Sequence, residues 1–243
     1  MSILTAEKIN KSFGDKHVLR DISLNLEEGE FVSILGVSGG GKTTLFNVLS
    51  GLFKPESGKV SLYGEDITGK PGKISYMLQK DLLLPFKRVI DNAALPLVIK
   101  GKSKKEARLE ADKYFKVFGL DGTQMLYPYA LSGGMRQRAA LLRTYLASDG
   151  VVLLDEPFSA LDAITRAKMQ QWYLGITEDI KLSTLFITHD IDEAILLSDR
   201  VCVMSEGRID AEIRIDYPRP RNEDFTLSDE FLAYKRKIKS LIK

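Results

Sequence analysis

The segment GVSGGGKTT, residues 36–44, follows a short apolar run and opens a helical pattern. Its glycines let backbone N–H groups close around an anion, and the helix N-terminus adds the positive end of a dipole. In the spacing G-x-x-x-x-G-K-[ST], Lys42 reaches the β- and γ-phosphates of a nucleoside triphosphate and the Thr43 hydroxyl binds Mg²⁺. The chemistry implied is phosphoryl transfer, which needs positioning and charge neutralisation more than covalent catalysis.

Three further groups fit that chemistry. VVLLDEP ends an apolar strand pattern with two adjacent carboxylates, Asp155 and Glu156. Ligands of open α/β sheets gather at that edge, so Asp155 is expected near the metal and Glu156 near the attacking water. His189 ends STLFITH in the same way, and Gln79 ends KISYMLQ. The histidine is either structural or a γ-phosphate contact; the amide is either a strand-end polar group or a ligand to Mg²⁺ and water. A second turn, Ser132-Gly133-Gly134 in LSGGMRQR, opens another helix, with Ala139, Leu142 and Leu146 on one face. It offers N–H groups and a dipole end but no lysine. The simplest use for it is the phosphate of a nucleotide held by another copy of the chain, with two copies sharing two nucleotides about a two-fold axis.

These residues need a scaffold. SILTAEKINKSFG and HVLRDISLNLEEGE alternate like half-exposed antiparallel strands. EFVSILG, KISYMLQ and VVLLDEP read as strands buried on both faces, and KTTLFNVLSGL as a helix. GKVSLYGEDI, STLFITHD and RVCVMSEG read as further strands. From Leu82 to Tyr129 the pattern is helical, broken or kinked at Pro85 and Pro96. DYPRPRNED resembles a linker. The tail SDEFLAYKRKIKSLIK has a Ser-Asp cap and reads as a basic amphipathic helix. We expect it to pack through Phe231, Leu232, Ile238 and Leu241 rather than to lie on a membrane. The alternation of strands and helices makes the class α/β, with a single domain over 1–243, a helical insertion over about 82–135 and a tail helix over about 228–243.

The bulk numbers set limits. The 243 residues carry a net charge of +2, which gives no electrostatic case for nucleic acid. Cys202 is the only cysteine, so no internal disulfide forms. No window approaches 18 uninterrupted apolar residues, and the start does not pattern as a signal peptide.

The ordered set GVSGGGKTT, Gln79, LSGGMRQR, VVLLDEP, SALD and His189 resembles the ATP-binding-cassette (ABC) ATPases over nearly the whole chain. The resemblance implies a P-loop NTPase (RecA-like) core with an antiparallel β subdomain and an inserted α-helical subdomain. It also implies a head-to-tail homodimer closed by two ATP molecules with Mg²⁺. Ser38, Gly39, Gly40, Gly41, Lys42, Thr43 and Thr44 would cradle phosphate. Phe13 would stack on adenine with Val18 beside it, Gln79 would sense Mg²⁺ and water, and Asp162 of SALD would cross the dimer interface. Ser132 and Gly134 would meet the partner's γ-phosphate. LLLPFKRVIDN, THDIDEAILLSDRV, DYPRPR and FLAYKRKI are similar to the import ATPases of the nitrate, sulfonate, taurine and pyrimidine-precursor group. That likeness implies integral membrane permease subunits, a separate solute-binding protein, and a peripheral place on the cytoplasmic face of the cell membrane. An export or lipid-handling system, or a non-transport ABC ATPase, is the alternative.

Overall fold

The computed structural model describes residues 2–180, 182–219, 221 and 223–242, and the side chains of these except 177–180 and 223. Strands β1 (Ser2–Phe13) and β2 (Lys16–Glu27) form an antiparallel hairpin. β4 (Ser57–Leu62) pairs with the other side of β1, and β5 (Glu65–Asp66) closes the edge of this four-stranded sheet. GKVSLYGEDI is therefore a hairpin rather than one strand. Tyr63 and Gly64 both have positive φ, 50° and 80°, and make a two-residue turn.

The second sheet holds β3 (Phe31–Leu35), β6 (Ser75–Met77), β7 (Val151–Asp155), β8 (Ser183–Thr188), β9 (Arg200–Ser205) and β10 (Arg208–Arg214). Their spatial order is β10-β9-β3-β8-β7-β6, parallel except for β10 at one edge. Every residue of β3 and β7 is buried, as the nearly all-apolar runs require of strands covered on both faces, and Ser33 and Asp155 are the polar members carried in with them. One apolar layer joins this sheet to the antiparallel one through Leu19, Val32, Phe46 and Val60. Another joins its opposite face to the helices through Phe31, Leu142, Phe158 and Phe186.

The helices are α1 (Lys42–Leu49), α2 (Val89–Ala93), α3 (Leu95–Ile99), α4 (Lys104–Phe115), α5 (Gly133–Ala147), α6 (Ala163–Ile180), α7 (Ile191–Leu197), α8 (Glu223–Thr226) and α9 (Asp229–Leu241). Only part of 82–129 is helical. Pro96 opens α3 and separates it from α2. The stretch around Pro85 is a loop organised by buried Asn92, whose amide donates to the carbonyls of Leu84, Lys87 and Arg88. The helical patterns of α6 and α7 go unread in sequence because α7 is buried from Glu193 to Leu197, while α6 exposes Ile164 and buries Gln170, which blurs its apolar stripe.

The described part of the linker-like DYPRPRNED is anchored to the core. Arg221 within it is 1% exposed and donates to the carbonyls of Ile195, Ser198, Ile215 and Tyr217. It satisfies the C-terminal carbonyls of α7, which otherwise lack partners. In α9 the Ser228 cap accepts from the Phe231 N–H, and Phe231 and Ile238 are buried with Leu241 packed beside them. Leu232 departs from expectation and stays 42% exposed. Among the described residues no helix is long and apolar enough to cross a membrane.

Candidate active site

The loop 36–44 joins β3 to α1 at the C-terminal edge of the parallel sheet. Gly41 is the N-cap of α1 with φ of 99°. A Cβ there would lie 2.9 Å from the Val18 carbonyl oxygen, so only glycine fits. Lys42 is 6% exposed, and its Nζ donates to the carbonyls of Gly36 (2.8 Å) and Val37 (2.9 Å). Burial pulls its pKa down, and the charges of Glu156 and Asp155 pull it back. A cavity of about 430 Å³ lies over the loop. Ser38, Gly39, Lys42, Thr43 and Thr44 line one part of it; Phe13, Lys16 and Val18 line the rest. Phe13 is half-exposed and meets Phe53 edge to face at 5.6 Å. Gly40 does not line the cavity; its N–H closes the loop's own turn on the Val37 carbonyl at 3.2 Å.

The two adjacent carboxylates diverge. Asp155 ends β7, is buried, and accepts from the Tyr76 hydroxyl at 3.1 Å and from the Thr43 side chain. Burial pushes its carboxyl up, against those hydrogen bonds. Glu156 has φ of 46°, a left-handed conformation costly for a non-glycine residue, and its N–H donates to the Ile187 carbonyl of β8. The bend aims its carboxylate elsewhere. Oε2 accepts from Gln79 Nε2 at 3.2 Å and lies 3.3 Å from His189 Nδ1. Gln79 Nε2 also reaches Ser159 Oγ at 3.4 Å. Gln79, Asp81, Gln137, Ser159 and His189 line a second cavity of about 710 Å³. Glu156 lines both cavities and so stands between them.

The strand order explains the convergence. β8 lies between β3 and β7, and β6 flanks β7, so the residues that follow all four strands meet at one edge. Tyr76 and Ser159 are additions the sequence reading missed as site residues. Tyr76 reads only as another residue of a buried strand, and its link to Asp155 exists because β6 and β7 are neighbours.

Ser132, Gly133, Gly134 and Asp162 line neither cavity. Ser132 caps α5, accepting from the Met135 N–H at 3.3 Å. A Cβ on Gly134 would lie 3.1 Å from Thr165 Cγ2, so the start of α5 packs closely on the first turn of α6. Asp162 accepts from the Thr165 N–H there, which holds its carboxyl below the usual range. One chain thus builds two sets of residues. The phosphate loop and the Glu156 cluster form the first; the Ser132 turn and Asp162, side by side on α5 and α6, form the second.

Among the described residues no group of three or more His, Cys, Asp or Glu side chains is placed to hold a metal. One buried carboxylate with a neighbouring hydroxyl suits a hard cation that takes its remaining ligands from substrate phosphates and water, as Mg²⁺ does.

A family model described as ABC transporter matches residues 19–159. Over 99% of its length the chain is 40% identical to the formylaminopyrimidine import ATP-binding protein ThiZ of Halalkalibacterium halodurans, covering 96% of that protein. It is 39% identical to the aliphatic sulfonates import ATP-binding protein SsuB of Bacillus cereus, over 94% of this chain and 90% of that one. Among solved structures it is similar to the ATP-binding cassette MJ0796 in a dimeric post-hydrolysis state bound to ADP and Pi. There the TM-score is 0.76 at 29% identity, over 88% of this chain and all of that one. The phosphate loop and its paired carboxylates thus sit in a chain that belongs to the ABC transporter family, as an ATP-binding ATPase component.

Proposed function

We propose that this chain is the ATP-hydrolysing subunit of an importer, and that two copies close head to tail on two ATP molecules to drive a separate membrane permease. The observation that carries the reading is Glu156, bent out of its strand to stand between the phosphate-loop cavity and the Gln79–His189 cavity. A carboxylate so placed orients and deprotonates water at the γ-phosphate. Lys42 exchanges the Gly36 and Val37 carbonyls for phosphate oxygens. His189 and Gln79 hold the carboxylate and the water between them. Asp155 and Thr43 would hold Mg²⁺, which supplies charge neutralisation to the phosphates when bound. Phe13 and Val18 receive the base.

The Ser132 turn is complete as a helix N-terminus yet lines neither cavity of its own chain. It serves the partner's nucleotide, with Asp162 crossing beside it. The names of ThiZ and SsuB support import. A solute-binding protein would select the cargo, and the permease would hold this chain at the cytoplasmic face of the membrane.

The test is Glu156→Gln. It keeps ATP binding, slows turnover by about 10²–10⁴-fold, and accumulates as an ATP-dependent dimer in light scattering. Hydrolysis at the parent rate would remove Glu156 from the mechanism. A variant that binds ATP, stalls and stays monomeric would remove the shared site.

A further inference from the structure

Glu193 is a buried carboxylate that the mechanism above does not use. It lies in the first turn of α7, 8% exposed, where an apolar residue would cost less to bury. Its Oε2 takes the Thr188 hydroxyl at 2.5 Å, and its Oε1 takes the Gln170 amide at 2.8 Å. Thr188 Oγ1 also accepts from the Asp190 N–H at 3.0 Å, so its single proton is free to go to Glu193. The Asp190 carboxylate in turn accepts from the N–H groups of Asp192 and Glu193. The residues on either side of His189 are thereby fixed. The imidazole itself is 58% exposed and reaches across to Glu156. Its place over the reacting groups is set by the turn beneath it.

We propose that Glu193 is a positioning residue for His189: through Thr188 it locks the turn 188–190 onto α7, and through Gln170 it ties that turn to α6. The tie to α6 matters because that helix begins beside Asp162, the residue placed at the partner. A charge-assisted pair at 2.5 Å is short and stiff, which suits a group whose displacement by about 1 Å costs about 10²-fold in rate. The proposal rests on His189 acting in hydrolysis.

The experiment measures steady-state ATPase kinetics and thermal midpoints of the purified chain with Thr188→Val, Glu193→Ala, Glu193→Gln and His189→Ala. We expect Thr188→Val and Glu193→Ala to lower kcat about tenfold or more, with KM for ATP within about twofold. Glu193→Gln should recover most of the loss, because its amide oxygen still accepts from Thr188 and Gln170 can turn its own amide to match. Should Glu193→Ala not fold, the isosteric Thr188→Val decides. A Thr188→Val protein with a lowered thermal midpoint and parental kcat would make the network merely structural and overturn the proposal, as would equal changes in kcat and KM. If His189→Ala keeps full activity, the reading of His189 fails first. If it loses activity while Thr188→Val does not, only the positioning role fails.

Discussion

Asp155 sits in a poor environment for charge, and the Tyr76 hydroxyl is one of the groups that make it tolerable there. The ring is held edge to face on Phe46 at 5.8 Å, so the hydroxyl has little freedom to leave. Tyr76→Phe removes one hydrogen bond to a charged group, about 1.5–3 kcal/mol, and releases the carboxylate to rotate. The expected outcome is about a tenfold higher Mg²⁺ requirement for tight nucleotide binding, read by Mg²⁺ titration of a fluorescent ATP analogue. An unchanged Mg²⁺ midpoint would make the contact incidental. The loop residues 36–44 and the pair Asp155–Glu156 were legible in sequence because each motif is contiguous and its spacing encodes its geometry. Tyr76, Thr188 and Glu193 were not. Tyr76 meets a partner 79 positions away, and Glu193 meets Gln170 across two elements. Such pairs exist only once strand order and helix packing are known.

At the scale of elements, the short helices between β6 and α5 are stitched by charge as well as apolar packing. Arg108 of α4 grips Asp91 of α2 with two bonds, Nε to Oδ1 at 2.8 Å and Nη2 to Oδ2 at 2.7 Å, and Lys104 lies 3.6 Å away. The Arg108 hydrogen bonds, then its charge and that of Lys104, hold the Asp91 carboxyl below the usual carboxylate range. A lowered pKa contributes stability above the unfolded value, which is lost as pH falls through the folded value. Asp91→Asn should cost about 1–2 kcal/mol at neutral pH, discounted for partial exposure. It should also flatten the fall in stability that the parent shows below about pH 5. Urea denaturation across that range checks both; parallel curves for parent and variant would show that the pair carries no linkage. Pro85 and Pro96 announced the breaks on either side of α2, whereas the buried Asn92 amide that organises the first of them was hidden, because its partners are known only once the loop has folded. Arg221 was not legible for a related reason: its Pro-Arg surroundings resemble a linker, but the carbonyls at the end of α7 needed a donor.

For the molecule as a whole, nucleotide is a stabilising ligand as well as a substrate. Binding to the folded state alone adds about 2.7 kcal/mol at a ligand concentration of 100 times Kd. ATP should therefore raise the thermal midpoint of the Glu156→Gln protein in a concentration-dependent way. Lys42→Ala in the same background should abolish the rise, because its ammonium is the one buried in the loop. A shift that survives Lys42→Ala would place nucleotide affinity elsewhere.

The position of β3 has a consequence for how the protein is made. This strand, residues 31–35, is completed early on the ribosome, yet its partners on both sides are β8 and β9, residues 183–205. The strand that anchors the phosphate loop therefore cannot begin to pair until about 150 further residues have been added, and is flanked on both sides only after about 170. At bacterial-like elongation rates of about 5–20 residues per second, that is a wait on the order of ten seconds or more. During it, a segment apolar but for Ser33 has no sheet to join. The antiparallel sheet, whose strands all lie before residue 67, can form in the meantime. β6, at the edge, and its neighbour β7 can pair once residue 155 is made, but the catalytic sheet is complete only after β8, β9 and β10 have followed, which makes the growing chain, more than the folded one, dependent on protection from aggregation.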